Sequence, residues 1–168
     1  GRNIERLINL KAGGEVPGSE LSRWIESLPQ VTSKKLAKMG LISERRAISG
    51  GLPGLIDQWE DFLTSQGFAT KHITTVVPRA RRIVSGCSFK SMSDIDPQKV
   101  ENYLGTLKVT VKVDGKKVQE EISPQTKVHY KGAIKQFTHW LYQNNILSND
   151  PLKTMRVGTV AREAQVRP

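Results

Sequence analysis

The residues of this chain that suggest a chemical role are basic, and three of them are evenly spaced. Lys127, Lys131 and Lys135 recur every four residues, so on a helix they form one row, called the lysine row below. No acidic residue occurs between Glu121 and Asp150, so the row has no carboxylate nearby in sequence. Cations without partners favour an external anion, and a net charge of +10 predicts a nucleic-acid backbone.

A second basic face is predicted on another helix, for which Thr70 is the expected N-cap. Between Asp61 and Asp94 there are five basic residues and no acidic one, and most of them lie opposite the apolar stripe. The free N–H groups at the start of each helix also favour phosphate. The residues predicted to face DNA are Lys71, His72, Thr75, Arg79, Arg82, Gln125, Thr126, Lys127, Lys131 and Lys135. The alternative is a pair of solvated helix faces without a ligand.

The sequence lacks the motifs of common catalytic and metal sites. His72, His129 and His139 have no second histidine or cysteine at metal-ligand spacing, and no phosphate loop or nucleophile elbow occurs. Cys87 is the single cysteine, which excludes an intrachain disulfide and favours a core thiol. Tyr130 lies on an apolar stripe, so core packing is favoured over contact with a base. No catalytic residue, cofactor or metal is predicted, and this stretch is not expected to be an enzyme.

Hydrophobic residues recur with the period of a helix along most of the chain, which predicts a mainly α fold. Helices are predicted over residues 2–12, 19–28, 32–39 and 54–66, from Thr70 to Cys87, from Pro97, and from Ser123 to Asn145. Pro78 is expected to kink its helix or to loosen one turn of it, at a cost of about 3 kcal/mol if nothing compensates. Valines alternate with polar residues from Val109, and Asp114-Gly115 is typical of a type I′ turn, so a β-hairpin is predicted over 109–122.

The order of these elements, together with three sequence blocks, is similar to a known family. The blocks are LIDQWEDFLTSQG, SDIDPQKVENYLGTL and SPQTKVHYKGAIKQFTHWLYQNNILSNDPL, the last ending in Asn149-Asp150-Pro151-Leu152. Over about 54–152 the chain resembles the core-binding domain of phage integrases, the tyrosine recombinases. The resemblance implies a four-helix core-binding bundle with short connector helices before it. The hairpin departs from the family's pattern, because it lengthens the connection before the last helix of the bundle. Such a bundle clamps one face of the crossover site during DNA integration and recombination.

The resemblance also implies three regions. Residues 1–52 are expected to be connector helices from an arm-binding region, 53–153 the core-binding domain, and 154–168 a linker toward a catalytic domain. The family's chemistry uses a tyrosine, arginines, a lysine and His-x-x-Arg, and no His-x-x-Arg occurs here. DNA binding is therefore expected of this fragment, while DNA breaking and rejoining is expected of a parent protein.

The expected partners are double-stranded DNA and other recombinase protomers, in the cytoplasm and without a membrane. The alternatives are a basic helical protein-interaction module, a small transcriptional regulator and a stand-alone nuclease. The regulator would need a tight helix-turn-helix, and the nuclease would need a cluster of metal-binding carboxylates. Two questions stay open at this point: whether residues 1–52 fold alone, and whether the hairpin contacts DNA, another protomer or neither.

Overall fold

The protein is mainly helical, as predicted, with one small hairpin before the last helix. The computed structural model describes residues 1–44 and 51–158. The α-helices in these ranges are α1 (Arg2–Ala12), α2 (Ser19–Glu26), α3 (Gln30–Lys38), α4 (Leu52–Ser65), α5 (Thr70–Gly86), α6 (Pro97–Thr106) and α7 (Pro124–Gln143). The antiparallel strands are β1 (Lys108–Val113) and β2 (Lys116–Glu121), and a single 3-10 turn spans Met92–Asp94.

Local sequence signals explain where several elements begin. Asp96 and Ser123 are N-caps whose side chains accept hydrogen bonds from backbone N–H groups three residues on, at 3.1 and 3.2 Å. A proline follows each cap in the first helical turn, where its missing N–H costs nothing. Asp114 and Gly115 both have positive φ, 51° and 77°, as a type I′ turn requires. The predicted hairpin and helix starts are confirmed here.

Three helix starts differ in detail from the prediction. Helix α3 begins at Gln30 rather than at residue 32. Helix α4 begins at Leu52 rather than at residue 54, because Pro53 is accommodated in the first turn. Helix α5 is not capped by Thr70, which is already the first helical residue, and Ala69 is the N-cap. A capping residue must itself be non-helical, so the side chain of Thr70 cannot serve.

Helix α5 runs as an α-helix through Pro78. Just before the proline, the hydroxyl groups of Thr74 and Thr75 donate back to the carbonyl groups of Thr70 and Lys71, at 3.0 and 2.6 Å. Such bonds tend to bend helices slightly. The expected kink stays a prediction, whereas the helix as an element is uninterrupted.

One large core joins α4, α5, α6 and α7. Its centre is aromatic: the rings of Trp59 and Phe137 lie 5.5 Å apart, and Trp140 stacks on Phe137 at 6.4 Å. The apolar stripes predicted on these helices face this core. The fully enclosed members include Leu52, Leu55, Ile56, Ala80, Ile83, Val100, Leu104, Ile134 and Leu141. Burying side chains of this size supplies the main stabilisation of the fold.

The large core includes residues near the end of the described part of the chain. Leu152 and Met155 are both buried within it. The carboxylate of Asp150 accepts a hydrogen bond from the backbone N–H of Leu152 at 3.0 Å, which shapes the turn that inserts Leu152. The remainder of the expected linker, 159–168, lies outside the described residues.

Helices α1 to α3 bury a separate, smaller cluster of side chains. Its members are Leu7, Leu21, Ile25, Leu36 and Ile42. The boundary predicted between this region and the next, at residues 52–53, stays a prediction; residues 45–50, just before it, lie outside the described residues.

Helix α2 docks on the 3-10 turn of the larger region. The guanidinium of Arg23 donates to the hydroxyl of Ser93 at 2.7 Å and contacts the carboxylate of Asp94 at 3.4 Å. Glu26 accepts from the backbone N–H of Met92 at 3.2 Å. Polar contacts therefore join the two clusters.

Across the described ranges, no helix has the length and apolar character needed to span a membrane.

Candidate nucleic-acid interface

The centre of the candidate interface is a pair of arginines on α5 held against an aromatic ring of α7. The guanidinium groups of Arg79 and Arg82 lie 5.9 and 6.0 Å from the centre of the Tyr130 ring. Arg82 also donates to the Tyr130 hydroxyl at 3.2 Å. The apolar stripe of each helix faces the core, so this contact forms at the edge where the two helices meet. Tyr130 is half-buried, packing on the core with its ring while its hydroxyl receives the arginine.

Tyrosine partners fix the position of Arg82 without neutralising it. A hydrogen bond with Tyr103 of α6, followed by the interaction with Tyr130, raises the pKa of Arg82 above its ordinary value. Neutral phenols orient the guanidinium, while a carboxylate would cancel its charge. Gly86 makes room for Tyr103, because a Cβ at this position would overlap the tyrosine ring.

Arg81, one residue away, has a different role. It bridges α5 to α4 through the carboxylates of Asp57 and Glu60, with the Glu60 contact at 3.0 Å. Burial lowers the pKa of Arg81, and the hydrogen bonds to the two carboxylates more than offset this, so its pKa is raised. Lys71, Arg79 and Arg82 form no ion pair among residues 1–44 and 51–158. Helix α5 therefore carries one arginine whose charge is paired with carboxylates, and three basic residues that contact no carboxylate in the described ranges.

The polar side chains near the start of α5 differ in their exposure to solvent. Lys71 and Thr75 are exposed, and the Thr75 hydroxyl already donates to the Lys71 carbonyl. The ring of His72 instead stacks on Phe68 at 5.5 Å, with its Nε2 atom enclosed and without a hydrogen-bond partner in the described structure. That atom is therefore turned away from solvent, unlike the exposed position expected from the sequence. We call Lys71, Thr75, Arg79 and Arg82 the α5 face.

The start of α7 presents one fully exposed candidate. Gln125 is exposed, whereas Thr126 and Lys127 are half-buried. Thr126 closes the cap, since its hydroxyl lies 2.9 Å from the Ser123 hydroxyl. The Thr126 hydroxyl is therefore already hydrogen-bonded within the cap of the helix.

The lysine row is not free of partners, which corrects the reasoning from sequence. Lys127 lies 3.8 Å from the carboxylate of Glu121, and Lys131 lies 2.6 Å from that of Glu101. Lys135 donates to the Met155 carbonyl at 2.7 Å. The gap in acidic residues along the sequence was misleading, because one carboxylate comes from α6, thirty residues upstream, and the backbone of segment 153–158 supplies further acceptors.

Segment 153–158 lies along the flank of α7 that carries the row. Lys131 reaches the carbonyl of Arg156 at 3.5 Å, and Lys135 reaches that of Lys153 at 3.4 Å. The successive contacts place the segment antiparallel to α7. The ten predicted residues are therefore divided: the arginines of the α5 face lie together on Tyr130, while Lys131 and Lys135 are engaged by the fold.

Sequence reasoning missed the aromatic groups that hold the arginines. In the sequence, Tyr103 matches only the apolar stripe of its helix. Phe68, which stacks on His72, lies between two predicted helices. The signal available for Tyr103 was a glycine, Gly86, on the facing helix, but pairing the two requires the tertiary fold. Cys87 is half-buried, and burial raises the pKa of its thiol, as a structural cysteine requires.

No cluster of three metal-ligating side chains occurs within the described part of the chain. Comparison with protein-family models, with curated proteins and with solved structures found no match for this chain.

Proposed function

We propose that this chain binds double-stranded DNA through the α5 face, as the core-binding part of a site-specific tyrosine recombinase. The observation that carries the DNA-binding proposal is the pair Arg79 and Arg82, held over Tyr130 with no carboxylate partner. The planar fork of a guanidinium matches the oxygens of a phosphate. Because the arginines are positioned before DNA arrives, less side-chain entropy is lost on binding.

The excess of positive charge supports DNA over a neutral partner. The chain has 26 basic and 16 acidic residues. Several of the acidic residues form ion pairs with Arg81, Lys127 and Lys131. The cations of the α5 face keep their full charge toward solvent. Neutralising phosphates releases counterions, which supplies most of the affinity of such surfaces.

The recombinase part of the proposal rests on the order of the elements. We infer that α4 to α7 form the four-helix core-binding bundle, with the hairpin between its third and fourth helices. Support comes from the core that these helices share and from Asp150 and Leu152 of the closing motif, which end the bundle by forming a turn and filling the core. In this proposal the chain holds the crossover site and leaves the chemistry to a separate domain.

The salt dependence of DNA binding tests the α5 face directly. Arg79→Ala/Arg82→Ala should flatten the plot of log affinity against log salt by about two units, close to one unit for each lost phosphate contact. Lys34→Ala/Lys38→Ala removes the same charge from two exposed lysines of α3 and serves as the matched control. Fluorescence anisotropy with a labelled duplex gives both slopes. Equal slopes for the two variants would remove the arginines from the interface.

The lysine row provides an internal comparison. Lys127→Ala/Lys131→Ala also removes two charges, but both lysines have partners within the fold, so its slope should change by less than about one unit. A change of two units would instead place the row on the DNA.

Site-directed binding requires a second measurement. Selection from a pool of random duplexes should enrich one motif, and binding without an enriched motif would refute the recombinase part while leaving DNA binding intact. A chain that shows no saturable binding at moderate salt would instead support the protein-interaction module.

A further inference from the structure

The hairpin of β1 and β2 has one apolar face that is open to solvent. Residues directly opposite each other in an antiparallel pair share a face, and the register pairs Val109 with Glu120, Val111 with Val118, and Val113 with Lys116. The side chains of Val109, Val113 and Val118 are 43%, 46% and 41% exposed. The members of this surface, called the valine face, are Val109, Val111, Val113, Lys116, Val118 and Glu120.

The other face of the hairpin is polar throughout. It carries Lys108, Thr110, Lys112, Lys117, Gln119 and Glu121. A two-stranded hairpin with one apolar face is marginally stable by itself in water, and an antiparallel sheet normally packs its apolar face on another layer. Every residue of the two strands except the half-buried Val111 is exposed. Among the described residues, no further layer therefore covers the valine face.

The charges on the valine face indicate which partner fits. Lys116 and Glu120 lie at opposite ends of β2, four residues or about 13 Å apart. If a second copy of this face is laid on the first with the strands antiparallel, Lys116 of each copy meets Glu120 of the other. In the same arrangement Val111 meets Val111, Val118 meets Val118, and Val109 meets Val113.

We propose that the valine face is the contact surface between two copies of this chain, related by a two-fold axis through its centre. A two-fold contact uses the same patch on both subunits and closes after two copies. Face-to-face packing of two sheets at about 10 Å leaves room for interlocking valine side chains. The proposal does not depend on DNA binding, because the α5 face and the valine face share no residue.

Sedimentation equilibrium of the 168-residue chain over a range of concentrations tests this contact. A reducing agent prevents crosslinking through Cys87. We expect a monomer–dimer equilibrium that Val118→Glu weakens by at least about tenfold, since the charge enters the centre of the interface twice. Gln119→Glu adds the same charge at the next residue, on the polar face, and should leave dimerisation unchanged. Circular dichroism checks that both variants are folded.

A charge exchange tests the proposed orientation. Lys116→Glu places like charges opposite each other at two points and should weaken dimerisation by about tenfold. Adding Glu120→Lys to the same chain should restore it. A chain that stays monomeric at its highest soluble concentration, a dimer that Val118→Glu does not weaken, an exchange that fails to restore dimerisation, or open-ended oligomers from edge pairing would each overturn the proposal.

Discussion

Lys131 is expected to stabilise the fold, although the sequence predicts it as a DNA contact. Its Nζ lies 2.6 Å from the carboxylate of Glu101, and the two side chains are 15% and 40% exposed. Exposed ion pairs contribute about 0.2–1 kcal/mol, whereas breaking a buried pair costs about 3–5 kcal/mol. With one partner mostly enclosed and the other half in water, Lys131→Met should lower the free energy of unfolding by about 1–2 kcal/mol.

A double-mutant cycle isolates the contribution of this ion pair. Methionine keeps the aliphatic stem of Lys131 while removing its charge, and Glu101→Gln keeps the shape of the carboxylate. Lys131 also reaches the carbonyl of Arg156, so the single variant loses more than one contact. Urea unfolding of the wild type, both single variants and the double variant should give a coupling free energy of about 1 kcal/mol.

Two outcomes would refute this reasoning. Single-variant effects that add to within about 0.3 kcal/mol would show that the two charges do not interact. A loss no greater than that of Lys34→Met, at an exposed lysine where a change within about 0.5 kcal/mol is expected, would show that Lys131 has no structural role.

Two further predictions concern stability. Hydrogen bonds from backbone N–H groups, chiefly that of Ser91, lower the pKa of Asp94, so its stabilisation is present above the unfolded value of about 3.9 and is lost as pH falls through the folded pKa. Urea unfolding at a series of pH values should therefore show that the wild type and Asp94→Asn become more similar in unfolding free energy as the pH falls. A difference that stays constant from neutral pH to about pH 2 would contradict this. Gly86→Ala should destabilise by about 1–3 kcal/mol by displacing Tyr103. Gly105→Ala, where a Cβ meets open space, should be neutral or stabilising by up to about 1 kcal/mol in the same thermal unfolding assay.

The features that sequence reasoning predicted well depend on neighbours along the chain. The Ser123 cap and the Asp114-Gly115 turn are set by a few consecutive residues. The buried stripe of α7 follows from the 3.6-residue period, which holds whichever element packs against it. Local rules therefore predict the mainly helical fold and the hairpin.

The features it missed depend on residues that only tertiary packing brings together. Lys131 looked unpaired because Glu101 is thirty residues away, on another helix. His72 shares its helix with the α5 face, yet its ring turns onto Phe68. A wheel assigns each residue to a side of its helix, but it cannot say which neighbouring element covers that side.

The way in which segment 153–158 is attached also affects which substitutions it tolerates. Lys131 and Lys135 bind carbonyl groups, which every amino acid possesses, while the side chains of Lys153 and Arg156 are exposed. Only Met155 inserts its side chain into the core here. This stretch can therefore vary widely in sequence and keep the same path, provided that a large apolar residue remains at position 155 and that position 158, where φ is +88°, remains glycine.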